Sequence, residues 1–296
     1  VKIGSDARFV FEKEGKPFRF SGNNFSAISP SVLAGLTPGQ RALLAERLSR
    51  LGYNLLRIAY LDNAHLKQTD AGSEIDPVGL DALDHFTAEL KKRGVYLVGD
   101  FLMGSRHKAA LKRAFPGEAF GDGDLRPLYE AAYFVNPKVR EDHLKTARRF
   151  LEHVNPYTKT AVKDEPQWVF FNILNEDPLS SWALRGETAP RLMASYWNAH
   201  LKEKYGDTEG LRRAWGRLNG GEILEKGSVA MPKTLEERPR GEDLVRYFAA
   251  LHREGWAAMK ELMRSVGSRA LLTDINMAHD RSILLARHGF EFEDQH

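Results

Sequence analysis

The chain has 296 residues, of which 42% are hydrophobic and 28% charged, and its 43 lysines and arginines against 40 aspartates and glutamates leave a formal net charge of +3. This is apolar material for one large core or two modest domains, and charges interspersed rather than gathered in a basic arm argue against nucleic acid as a partner. The absence of cysteine excludes disulfides, thiolate metal sites and a cysteine nucleophile, and no apolar run approaches the roughly 18 to 20 residues that span a bilayer, so no membrane partner is expected.

Phe9 to Phe11 and Phe18-Arg19-Phe20 alternate apolar with polar around Gly15-Lys16-Pro17, which predicts a hairpin leading into a strand that ends in Gly22-Asn23-Asn24-Phe25. Thr37-Pro38-Gly39-Gln40 has the form of a capping box, with Leu43, Leu44, Leu48 and Leu51 at helical spacing behind it and Gly52 as the stop. Tyr53 to Ile58 is an apolar run of the buried parallel-strand kind, with Arg57 at its C-terminal end. The unit repeats. Asp76-Pro77 caps a helix that Gly94 ends, and Val95 to Phe101 forms the next strand, with Asp100 near its close. A long polar loop carrying Arg106, His107, Asp122 and Asp124 is expected next, then a helix from about Pro137 to His153 and an apolar strand from Trp168 to Leu174, with Asn175-Glu176 directly behind it. Beyond a helix-rich stretch from about Thr188 to Val266, Arg269 to Thr273 restores the strand pattern before Asp274, and Glu291 to His296 reads as a further strand.

Strands alternating with helices predict a parallel sheet whose active face lies at the strand C-termini, where Asn23, Arg57, Asp100, Glu176, Asp274 and His296 recur. An open doubly wound sheet would also bind ligands there, but no glycine-rich phosphate loop follows the first strand. The expected fold class is therefore α/β, a TIM (β/α)8-type barrel forming a single domain over residues 1–296. Glycosidic bonds are cut by two carboxyl groups, one of them a proton donor. Glu176, placed directly after an apolar strand at the mouth of a pocket, is the candidate for that donor, since partial desolvation raises a carboxyl pKa toward the working pH. Asn175 would hold a sugar hydroxyl, with Arg57, Asp100 and His296 on the same rim and Trp182 and Phe101 available to stack on a sugar face. The plainer readings are that Asn-Glu merely caps the next segment and that Arg57 and Asp100 form a bracing ion pair. His65, His107, His143 and His279 share no short spacing, so neither a metal nor another cofactor is expected, and Trp197, Tyr205 and Trp215 read as helix packing.

Taken in order, Gly15-Lys16-Pro17-Phe18-Arg19-Phe20-Ser21-Gly22-Asn23-Asn24-Phe25, Gly52-Tyr53-Asn54-Leu55-Leu56-Arg57-Ile58 and Phe171-Asn172-Ile173-Leu174-Asn175-Glu176 resemble glycoside hydrolase clan A, in particular family 5 and the family 42 β-galactosidases. Lys204-Tyr205-Gly206 with Leu211, Ala214 and Trp215 resembles a helical insertion after strand four in barrel enzymes acting on β-linked galactose or mannose. The lead-in Asn155-Pro156-Tyr157-Thr158 and Lys163-Asp164-Glu165-Pro166 looks like secreted bacterial members, which implies a secreted or periplasmic protein. The resemblance implies a retaining glycosidase acting on a β-linked mannan, glucan or galactoside, with Glu176 as acid/base, a second glutamate after strand seven as nucleophile, Arg57 and Asn175 in support, and His296 opening a His-x-aromatic element after strand six. On this strand count roughly six of the eight strands are present and the last two β/α units, with the nucleophile, lack a counterpart. A missing segment or a second chain completing the barrel is one expectation, and a carbohydrate-binding barrel without catalysis is the alternative.

Overall fold

The computed structural model describes residues 1–24, 30–58, 61, 66–68, 73–102, 107–176, 178–276, 280–288 and 290–292. Its centre is a sheet of five parallel strands, β1 (Gly22–Asn24), β2 (Leu55–Ile58), β3 (Tyr96–Leu102), β4 (Trp168–Leu174) and β5 (Leu271–Ile275), ranked in space in their chain order. Between them run the helices α1 (Pro30–Gly35), α2 (Pro38–Arg50), α3 (Pro77–Lys91), α4 (Lys108–Ala114), α5 (Asp122–Val135), α6 (Pro137–Glu152), α7 (Leu179–Ala183), α8 (Thr188–Tyr205), α9 (Thr208–Trp215) and α10 (Arg240–Ser265), with α11 (Arg281–Ala286) after β5. A strand order that never reverses, joined by crossovers of one hand, puts the helices on one face and curls the sheet toward the other. This is the winding of a (β/α) barrel and not of a doubly wound sheet, which needs a reversal point.

The local signals act as expected. The Thr37 side chain accepts from the Gln40 amide while the Gln40 side chain accepts from the Thr37 amide, and Asp76 accepts from the Val78 amide at the start of α3. The helix-facing side of the sheet joins the main core, where Phe101 stacks on Phe171 at 4.8 Å and Phe171 on Trp168 at 5.5 Å. On the inner side, Val98, Val169, Phe170 and Leu271 form a separate cluster with Phe9, Phe20, Tyr96 and Phe292. The N-terminal hairpin, in which Lys2–Ile3 pairs antiparallel with Phe9–Val10, delivers Phe9 onto Phe170 at 4.9 Å and so plugs the inner face from below.

Three expectations are corrected. The stretch around His107, Asp122 and Asp124 is not one long loop, because α4 and α5 lie within it. Leu125, Leu128, Tyr129, Ala132 and Tyr133 of α5 are buried at helical spacing and hold that segment against its neighbours, despite Pro127 inside it. The long crossover between β4 and β5 is helical, as expected, and Trp197 and Trp215 pack face to face at 6.3 Å, with Trp215 donating to Asp243 at 2.7 Å. The strand count differs: among the described residues five strands pair in the central sheet, where six were expected. Glu291 accepts from the Leu272 amide at 2.8 Å and the Phe292 carbonyl from the Thr273 hydroxyl at 2.8 Å, so residues 290–292 run alongside β5 without joining it as a strand. His296 and the rest of 293–296 lie outside the described residues. Finally, Asp274 does not face the rim. It points to the helix side, fully buried, 2.5 Å from His252 of α10, whose Nε2 accepts from the Leu179 amide.

Candidate active site

Parallel strands carry their C-termini to one end of the sheet, and four neighbouring strands bring polar side chains together there. Arg57 of β2 donates through Nε to Asp100 Oδ2 of β3 at 2.9 Å, and Asn172 of β4 donates to Asp100 Oδ1 at 2.9 Å. The second arm of Arg57 donates through Nη2 to Asn175 Oδ1. That same oxygen accepts from Asn276 Nδ2 at 3.0 Å, and Asn276 Oδ1 accepts the backbone N–H of Glu176 at 2.6 Å. Asp100, Asn172 and Asn276 are fully buried, and Arg57 and Asn175 nearly so. A guanidinium and a carboxylate taken out of water are tolerable only when paired and fully hydrogen-bonded. Here the fork of Arg57 does both, joining the charge of Asp100 to the amide beside Glu176.

Glu176 itself is half-buried, and its backbone lies in the left-handed region at φ 57°. For a residue with a Cβ this costs about 1–3 kcal/mol, so neighbouring contacts must enforce it. Such strain concentrates at functional sites. The turn at Glu176 ends β4 abruptly and lets α7 start at Leu179.

The structure thus brings Arg57, Asp100, Asn175 and Glu176 together. Asn23 lies half-buried on β1 opposite Leu56 in register, and among the described residues no hydrogen bond ties it to this network. Trp182 is not a free platform for a sugar. It is 4% exposed in α7, inside the main core, with the guanidinium of Arg126 at 5.0 Å and that of Arg185 at 5.5 Å from its ring centre. Phe101 is likewise buried against Phe171. Sequence reasoning missed Asn172 and Asn276. Asn172 carried a signal, a polar residue inside the apolar run of β4 on the inner side.

His107 and His143 are core groups. His107 stacks on Tyr129 at 4.4 Å, and the Tyr129 hydroxyl lies 3.3 Å from His143 Nδ1. Burial, with His107 nearby, pushes the His143 pKa down to about 3. His65 and His279 lie outside the described residues, and among the described residues no group of three or more histidines and carboxylates could hold a metal. A cavity of about 620 Å³ opens at the opposite end of the strands beside Trp168, Leu271, Lys2 and Arg269. The chemistry-bearing network is not part of its wall.

No family model matches the chain. Among curated proteins it is similar to two from Arabidopsis thaliana, provisionally named mannan endo-1,4-beta-mannosidase 4 and mannan endo-1,4-beta-mannosidase P. Each is 25% identical over 169 residues, 56% of this chain and 41% of the relative. The chain therefore spans about two fifths of the length of these relatives. Among solved structures it is similar to an endo-1,4-beta-mannanase from Rhizomucor miehei, at 14% identity and a TM-score of 0.45 over 93% of this chain and 94% of that one. A glycoside hydrolase family 5 mannosidase from Rhizomucor miehei gives 12% identity and a TM-score of 0.47 over 95% and 74%.

Proposed function

We propose that this chain carries the acid/base part of the active site of a glycoside hydrolase acting on β-linked mannan, with Glu176 as the proton donor. The observation that carries the reading is the position of Glu176: strained, half-buried, directly behind a central parallel strand, and joined through its backbone and Asn175 to the Arg57–Asp100 pair. Protonated Glu176 would give its proton to the glycosidic oxygen as the bond from C1 to that oxygen breaks, and the resulting carboxylate would then take a proton from the water that completes the reaction. Asn175 has its carbonyl oxygen occupied by Arg57 and Asn276, which directs its NH2 group as a donor to a sugar hydroxyl. Retention of configuration, with a second carboxyl about 5 to 5.5 Å from Glu176, belongs to this proposal. The names of the curated relatives support mannan as the polymer, and a secreted or periplasmic location goes with so large a substrate.

A reducing-sugar assay on linear β-mannan is the test. Hydrolysis is expected, and Glu176→Gln should lower turnover by roughly 10²- to 10⁴-fold, the usual contribution of general acid–base catalysis. An unchanged rate in Glu176→Gln sinks the role of Glu176, and turnover of another β-glycan in place of mannan moves the substrate class. One observation favours a second reading. Asp100, the other carboxylate of the network, is engaged by Arg57 and Asn172, which fits a barrel that binds sugar without cleaving it. Mannan retardation in affinity electrophoresis without release of reducing ends would select that reading.

A further inference from the structure

We propose that Asn276 is a positioning residue for Glu176, setting the backbone from which the acid/base carboxyl projects; the inference rests on the role proposed above for Glu176. Leu174 and Ile275 are register partners in the parallel pair of β4 and β5, so the residues that leave the two strands, Asn175-Glu176 and Asn276, emerge side by side. Asn276 is fully buried, and both ends of its amide are used. Its oxygen accepts from the Glu176 N–H at 2.6 Å and its nitrogen donates to Asn175 Oδ1 at 3.0 Å. The bond to the backbone of Glu176 falls where φ is 57°, a conformation that persists only if its surroundings enforce it. That φ decides where the Cα–Cβ bond of Glu176 points and hence whether its carboxyl meets a bound glycosidic oxygen.

Only an amide does both jobs. An aspartate at 276 would still accept from the Glu176 N–H, but it would set a negative charge against Asn175 Oδ1 and close to the Glu176 carboxyl. A leucine of similar size would do neither. The residue acts on the acid through the backbone, without contact to the sugar, and its effect should follow how much the reaction needs a proton.

The experiment compares Asn276→Leu and Asn276→Asp with the wild-type protein by two independent readouts. The first, which needs no activity, is hydrogen exchange of the Glu176 amide followed by NMR. Exchange should accelerate in Asn276→Leu and stay slow in Asn276→Asp. The second is turnover of mannan against 2,4-dinitrophenyl β-mannoside, whose leaving group departs without protonation. Asn276→Leu should lose up to about 100-fold on mannan, the order expected for an ångström of misplacement, with far less loss on the aryl mannoside. In Asn276→Asp the alkaline limb of the pH–rate profile should move up, since the donor must hold its proton and a like charge raises the pKa of Glu176. If Asn276→Leu does not fold, the Asp variant decides alone, and an unmoved alkaline limb overturns the proposal. A Glu176 amide that stays protected in Asn276→Leu, or equal losses on both substrates, also overturns it. If instead Glu176→Gln hydrolyses mannan normally, the reading of Glu176 falls, while the exchange measurement still judges the Asn276 contact.

Discussion

Arg57 shows how one side chain can serve structure and chemistry together. Its guanidinium neutralises the fully buried Asp100 and fixes the Asn175 amide with its other arm. Replacing it by alanine strands a carboxylate in the interior, so Arg57→Ala should destabilise the fold by about 3–5 kcal/mol in urea denaturation. Arg57→Ala/Asp100→Asn, which removes the stranded charge, should recover part of that loss; a single variant of wild-type stability would show that the pair is not buried as described. Arg57, Asp100, Asn175 and Glu176 were legible in sequence because each stands at the C-terminal end of an apolar strand run. Asn276 was not, since the strand was read as closing at Asp274. Side chains alternate between faces along a strand, so identifying its polar end residue requires the register. Asp274 meets His252 on the helix side, and β5 ends one residue before Asn276. Trp182 was misread for a different reason: an aromatic that packs a helix and one that receives a sugar look alike until burial is known.

Among the elements, the pairing of β3 with β4 shapes the core most sharply. A Cβ at Gly99 on β3 would stand 2.8 Å from Phe171 Cε1 and 2.9 Å from Leu61 Cδ2, closer than packed atoms allow. The glycine leaves room for Phe171, which stacks between Phe101 and Trp168. Gly99→Ala should therefore cost about 1–3 kcal/mol by overpacking, read as a lower thermal midpoint, and Phe171→Leu on the same background should return part of it. A Gly99→Ala variant as stable as wild type would mean that the rings have room to shift. The helix stops and caps at Thr37, Gly52, Asp76 and Gly94 were readable locally because their chemistry is local. Helices α4 and α5 were not, because Pro116, Gly117, Gly121, Gly123 and Pro127 look like loop residues, and the helical face of α5 becomes clear only from what it packs against.

Over the whole molecule, stability should depend on acid through His143. The buried ring is held neutral, with a pKa pushed down to about 3, whereas in the unfolded chain it titrates near 6.5. Between those values the unfolded state binds the extra proton, so the contribution is complete above about pH 6.5 and is lost progressively as pH falls toward 3. The urea midpoint should drop between pH 7 and pH 5, and His143→Gln should flatten that drop; an equally steep profile in the variant would place the acid sensitivity elsewhere. Asp84, which burial holds above the usual carboxylate range although His153 draws it down, acts in the opposite sense as pH rises. The strand order also has a consequence in time. Neighbouring strands β1 to β4 meet across shorter stretches of chain, whereas β4 ends at Leu174 and β5 begins only at Leu271, with α7 to α10 between them. The entropy of closing a loop grows with its length, so β5 is the costliest strand to add and the natural last arrival. Because Asn276 rides on its end, a nascent chain can possess its core, its Arg57–Asp100 pair and even Glu176 while still lacking the turn that aims the carboxyl. The contact between Asn276 and the Glu176 backbone therefore waits on the docking of β5, and the order of the chain becomes an order of assembly.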